Sequence, residues 1–339
     1  MKIRILLLTV LFMFTTAFAD GDGLKIAVKN TGICFGNSKN FNGLRINTVD
    51  RNVERIRGIN VTLWPVGSNE MSGDVTGASI GVMPMAARMS GLNFGLLGLG
   101  SEENLNGISL GLFGAGAGGN INGLAFGGLG AGSGGDINGL AFGLAGMGAG
   151  GSLRGLGLGG FGMGVGEDLT GVGLGGFGMG VGRDMKGFSM SLFGSGFGRN
   201  MTGISVTGIG MGAGESMNGL MFSGIGMGAG TRIQGIAVSG LGMGAGESIR
   251  GLAFAGLGMG SKNLQGIMLS FGRIMVLDGG EFMGIGASAY NRIDGQQTGV
   301  LFGLVNRTKT LTGVQIGLIN IVEENPKPFR VLPFINASL

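Results

Sequence analysis

One glycine recurs every 16 residues, at Gly91, Gly107, Gly123, Gly139, Gly155, Gly171, Gly187, Gly203, Gly219, Gly235 and Gly251, and Gly266 follows after 15. A period this constant is the strongest constraint on the fold. Each copy is too short to bury its own apolar side chains, so it must stack on neighbours of the same length. Looser copies appear at Gly43, Gly58 and Gly77 and again at Gly284, Gly299 and Gly313. The expected organisation is a degenerate N-terminal cap over residues 20–90, a regular array over 91–266 and a degenerate C-terminal cap over 267–339.

With the glycine as position 0, apolar residues fall at −2, +1, +3, +6, +8 and often +10, as in Met217, Leu220, Phe222, Ile225, Met227 and Ala229. A gap of two is a strand with alternate residues on one side, and a gap of three or four marks a corner. Two short strands per repeat follow. Glycine supplies 81 of 339 residues, and each costs a helix about 1 kcal/mol relative to alanine. No Gly-X-Y triplet period points to collagen, and a chain 44% hydrophobic and only 12% charged does not read as disordered. The expected fold is all-β, a β-solenoid of 16-residue coils. Its large apolar side chains are expected inside, since burial is favourable by about 25 cal/mol per Å²; in lipid the same ladder would point outward. Glycines at +5, +7, +9 and +11 have two readings, tight corners or a flat face without side chains.

The competing reading is an outer-membrane β-barrel with one strand per repeat. The break in parity between +3 and +6 opposes it, because a membrane strand keeps one parity for about 10 residues. The terminal Ser338-Leu339 also lacks an aromatic end residue.

Lys2 and Arg4 precede an apolar run from Ile5 to Phe14, and Ala17-Phe18-Ala19 follows. These features predict an export signal over residues 1–19 and a mature chain from Asp20. The run is shorter than the ~20 residues that span a bilayer. Cys34 lies too far downstream for a lipoprotein anchor, and a single cysteine makes no internal disulfide. It reads as a buried small apolar residue, with a reactive thiol as the alternative. Without Lys2 and Arg4 the 23 basic residues become 21 against 19 acidic ones, a charge of +2. No basic run points to nucleic acid.

The chain has no histidine, which removes the commonest general base and zinc ligand. Carboxylates such as Glu167 and Asp168 adjoin at an expected turn, with no apolar surroundings to raise a pKa. Every charged residue from Glu102 to Arg250 falls at positions +11 to +15, so all should line one edge. Position +13 is aspartate only at Asp136, Asp168 and Asp184, unlike the one-per-coil aspartates of calcium-binding β-rolls. Thr170, Thr202, Thr207 and Thr231 do not all share one column, so a threonine ice-binding ladder is not expected. Gly-x-Gly-x-x-Gly strings occur without the following helix that a dinucleotide site needs. Methionines form a column at +8, namely Met147, Met163, Met179, Met211, Met227, Met243 and Met259, interrupted by Ser195. Thioethers bind copper(I), but unbranched methionine also fills a narrow core, and packing is the simpler expectation. No catalytic, cofactor-binding or metal-binding residue is expected, and no cofactor.

The segments Gly299-Val300-Leu301-Phe302-Gly303-Leu304-Val305-Asn306 and Gly313-Val314-Gln315-Ile316-Gly317-Leu318-Ile319-Asn320, with Gly91-Leu92-Asn93-Phe94-Gly95-Leu96, resemble bacterial surface-repeat proteins built from Gly-Leu-x-x-Gly-Leu-x-Asn units. The resemblance covers roughly residues 40–325. It implies a cell-surface or envelope location and brings no activity or ligand. The array departs from it by replacing Leu-x-Asn with Leu-Gly-x-Gly. The expectation is therefore a secreted or surface-displayed structural repeat protein, adhesive and non-enzymatic, with partners among envelope or host surface components and with membrane association left open.

Overall fold

The computed structural model describes residues 23–67 and 70–338. The expected export signal lies outside the described residues. Two compact units divide the chain, residues up to Glu167 and residues from Asp168 onward. Both are built in the same way.

In each regular coil one strand runs from −2 or −3 to +4 and a second from +7 to +10, as in Ile121–Gly127 and Gly130–Ser133 of the first unit and Ser216–Ser223 and Gly226–Ala229 of the second. Equivalent positions of successive coils pair in parallel and in register: Gly123 opposes Gly139, Phe126 opposes Phe142 and Ala131 opposes Met147. In the second unit Met217 opposes Ile233 and Met227 opposes Met243. Parallel pairing at the repeat length makes a β-solenoid, and no α-helix occurs among the described residues. It rules out the barrel reading, whose strands would alternate in direction.

Glycine is obligatory at position 0. From Gly91 to Gly266 its φ lies between +95° and +131°, a region L side chains avoid. A Cβ on Gly139 would also overlap the carbonyl oxygen of Gly123 one coil earlier. The looser copies keep the same rung, since Gly32, Gly43, Gly58 and Gly77 pair in succession and Gly284, Gly299 and Gly313 do likewise. Among the described residues only the outermost strands turn antiparallel. Leu24–Val28 folds back on Thr31–Phe35 through Lys29 and Asn30, both with positive φ, and Val331–Ser338 lies against Val305–Val322.

The core differs from the expected one in half of its columns. Positions −2, +8 and +10 point inward, as in Met217, Met227 and Ala229, but +1, +3 and +6 point outward, and the inward residues beside −2 are those at +2 and +4. The step from −2 to +1 is not a corner. One strand passes straight through the glycine, so its inward parity is −2, +2, +4. Most coils place a small residue at +2, among them Ala125, Ala141, Ser189, Ser205, Ala237 and Ala253, all at most 1% exposed, although Met221 fills the same position in its coil. Small residues there let the two strands of a 16-residue coil close on the long side chains at −2 and +8.

The methionine column is core. Met147, Met163, Met179, Met211, Met227, Met243 and Met259 are all buried, and a Cβ on Gly157 would collide with the ends of Met147 and Met163. Where Ser195 interrupts the column, Phe197 supplies the missing bulk from +10, and Ser195 is hydrogen-bonded with Ser191 at 2.9 Å and Thr207 at 3.0 Å. Met227→Ala is expected to cost about 2–3 kcal/mol through the cavity it leaves, whereas Met227→Leu should cost less than about 1.5 kcal/mol; urea unfolding of the two variants tests this.

Candidate functional site

The perimeter of a coil has two corners of opposite character. The corner from +11 to +15 carries the charge, as expected, and position +13 organises it. There a side-chain oxygen accepts the backbone N–H of the same position one coil later. Asn104 accepts from Asn120 at 2.9 Å, Asn120 from Asp136 at 2.7 Å and Asp136 from Ser152 at 2.8 Å. In the second unit Asp168 accepts from Asp184 at 3.1 Å and Asp184 from Asn200 at 3.2 Å. Aspartate and asparagine do the same work, which explains why +13 alternates between them with no regular acidic ladder. Arginines pair along the same edge, Arg154 with Asp136 at 3.0 Å, Arg183 with Asp168 at 3.0 Å and Arg199 with Asp184 at 2.8 Å.

These contacts hold two carboxyls below their ordinary range. For Asp136 the Ser152 N–H is the main cause and Arg154 the next, and for Asp168 the Asp184 N–H leads, with Arg183 adding to it. A carboxyl whose folded pKa is depressed contributes stability that is fully present above the unfolded value, about 3.9. That contribution is lost as pH falls through the folded value. Asp136→Asn keeps the acceptor but loses the charge and its pairing with Arg154, so it should lower neutral-pH stability modestly and flatten the loss of stability below about pH 4, read from thermal melts at stepped pH.

The opposite corner, at +5 and +6, is wholly apolar in the array. Leu129, Leu144, Phe161, Phe177, Leu192 and Leu257 are all exposed there, Phe161 by 61% and Leu257 by 65%. Phe177 and Phe193 stack with ring centroids 5.2 Å apart. The outward columns at +1 and +3 continue the apolar surface onto the longer strand, with Ile236 and Phe222 each 40% exposed. On the shorter strand the outward positions +7 and +9 are glycine. A Cβ at Gly148, Gly164, Gly180 or Gly196 would meet nothing within 4 Å, whereas one on Gly134, at +11, would overlap the Gly118 carbonyl oxygen. The two readings of these glycines thus apply at different positions: at +11, and at those +5 positions that are glycine, such as Gly128, a Cβ would overlap a carbonyl oxygen one coil earlier, and +7 and +9 form a bare face.

Two shallow grooves open beside the apolar corner. One, of about 590 Å³ in the first unit, is lined by Met83, Leu97, Leu99 and Phe113 with glycines and alanine. The other, of about 520 Å³ in the second unit, is lined by Phe254, Leu269, Phe271, Phe302 and Leu304 with small residues. Neither holds a titratable side chain. Among the described residues, no group of three or more His, Cys, Asp or Glu is arranged to hold a metal ion.

Cys34 is fully buried, its Sγ 3.7 Å from the Gly36 carbonyl oxygen. Two polar clusters not expected from the sequence lie inside the flanking coils. In the N-terminal coils Arg45 is fully buried and pairs with Asp50, and its guanidinium also donates to Asn60 at 2.7 Å and Asn37 at 2.6 Å. Asn47 and Asn60 in turn donate to Asp50. In the C-terminal coils Asn291, Asn306 and Asn320 form a buried ladder with 2.7 Å steps. Through Ile274, this ladder continues the column that Met259 occupies in the array.

The fold and this surface define a β-solenoid with an amphipathic perimeter. Comparison with protein families, curated proteins and solved structures finds no match for the chain.

Proposed function

We propose that this is an exported structural repeat protein of the cell surface or envelope, non-enzymatic, which adheres through its apolar perimeter while the charged corner stays in water. The observation that carries this reading is the segregation of the coil. Charged side chains in the array keep to +11 to +15, and Leu, Ile, Phe and Met side chains stand exposed at +1, +3 and +6. Monomeric soluble proteins rarely expose contiguous apolar patches beyond a few hundred Å². The apolar grooves without a titratable group support a contact surface rather than acid–base chemistry. The likeness of residues 299–320 to surface-repeat units supports the location. Protease treatment of intact expressing cells tests the reading: digestion of the mature chain and retention of the producing cells on polystyrene are expected, and protection of the chain until lysis would overturn it.

A further inference from the structure

The surface role leaves the chemistry of the partner open, and the apolar corner narrows it. We infer that the +6 corner of the array inserts into the hydrocarbon layer of a lipid surface, with the coils lying edge-on and the charged corner directed to water. This rests on the adhesive reading above and specifies what the perimeter adheres to.

Three observations carry it. The first is side-chain chemistry: in the second unit the corner is Phe177, Phe193, Ile209, Ile225, Leu241 and Leu257, each between 42% and 65% exposed, with no charged residue among them. The second is backbone satisfaction. A backbone N–H or C=O facing hydrocarbon must be bonded within the protein, and here the corner amides are bonded coil to coil. Phe193 donates to Phe177 at 2.8 Å, Ile209 to Phe193 at 3.1 Å, Ile225 to Ile209 at 2.9 Å, Leu241 to Ile225 at 2.8 Å and Leu257 to Leu241 at 2.8 Å. The nearby hydroxyls of Ser223 and Ser239 are also turned inward, each onto two backbone carbonyls. The first unit repeats the pattern, with Phe113, Leu129, Ala145 and Phe161 each donating to the coil before.

The third observation is shape. Six side chains in single file at a spacing of about 4.8 Å cover a ridge about 29 Å long and roughly 10 Å wide, near 300 Å². The outward +1 and +3 columns continue the apolar surface on one flank of the ridge. A fluid apolar phase closes around the ridge and its flank together, whereas a second copy meeting it ridge to ridge would cover only that strip, short of the about 800 Å² a standard interface takes from each partner.

Flotation of the purified mature protein with phosphatidylcholine vesicles tests the inference. The wild-type chain is expected to float with the vesicles. Replacing pairs of corner residues, Phe193→Ser with Ile225→Ser and Leu241→Ser with Leu257→Ser, should lower the partition about tenfold or more per pair. Circular dichroism should confirm that each variant stays folded, since these side chains point outward. Glu247→Gln with Arg250→Gln on the charged corner should float as the wild type does, and Ala145→Phe, which fills the one small corner position between Leu129 and Phe161, should raise the partition. Failure of the wild type to float, or flotation indifferent to the corner variants, overturns the inference. So does concentration-dependent self-association abolished by the same variants, which would place a second copy on the corner. In any of these cases the surface role still stands or falls on the protease treatment of intact cells.

Discussion

Gly219→Val should be among the most damaging single substitutions in the array, costing about 3 kcal/mol or more and melting the coils around it. Two costs combine at that position. Gly219 has φ +122°, and a side chain there would overlap the Gly203 carbonyl oxygen, so the rung could close only by opening the ladder. A β-branched residue meets both costs in full. The contrast is Gly180→Ala, at +9 of the Gly171 coil, where a Cβ meets nothing within 4 Å and φ is ordinary. Removing a strand glycine without strain should stabilise by about 0.5–1 kcal/mol. Chemical denaturation of the two variants should move in opposite directions, and similar losses from both would contradict this assignment of the glycines.

The second large effect belongs to the N-terminal coils. Arg45→Ala should destabilise them by about 3–5 kcal/mol, because it leaves the Asp50 carboxylate buried with Asn47 and Asn60 as its remaining partners. The loss should be local, since each coil of a solenoid contacts mainly its neighbours. Hydrogen exchange is the direct readout: amides of Asn40–Val49 and Arg55–Trp64 should lose protection, while Ile137–Gly143, five coils further on, should keep theirs. Replacing Arg45 and Asp50 together by apolar residues of similar volume should recover much of the loss.

How far the sequence reaches is visible in particular residues. The period alone specifies the solenoid, because in-register parallel pairing needs one repeat length and nothing else. The charged edge was equally legible: charges confined to five consecutive positions of a 16-residue coil must share a corner. The core was misread at +1, +3 and +6 for a physical reason. Leu220, Phe222 and Ile225 are larger than Met221 or Ser223 in hydrophobic appeal, and burial arguments favour putting them inside. One strand passes through the glycine, so the parity that buries −2 also buries +2 and +4 and turns +1 and +3 outward, even though Met221 shows that a side chain as large as Leu220 fits inside. The signal that would have corrected this is the run of Ala, Gly and Ser at +2, which share the inward parity of −2 and mark a narrow core. Arg45 and Asp50 gave no such signal, since a charged residue in a degenerate coil reads as a surface residue until its partners are in place. Asn306 and Asn320 are visible as part of the surface-repeat resemblance, but with Asn291 they stand at +7 from their glycines and join the column of the +8 methionines because the corner before them is one residue shorter than in the array.

The measurement that most directly tests the account is the distance between equivalent outward positions of adjacent coils. Gly180→Cys and Gly196→Cys place spin labels at +9, where the side chains have open space and native Cys34 is buried and out of reach of the reagent. In-register parallel coils put the two backbone positions about 4.8 Å apart, so the doubly labelled protein should show strong dipolar broadening that neither single variant has. A spectrum equal to the sum of the two singles would contradict the solenoid register and, with it, both corners of the perimeter.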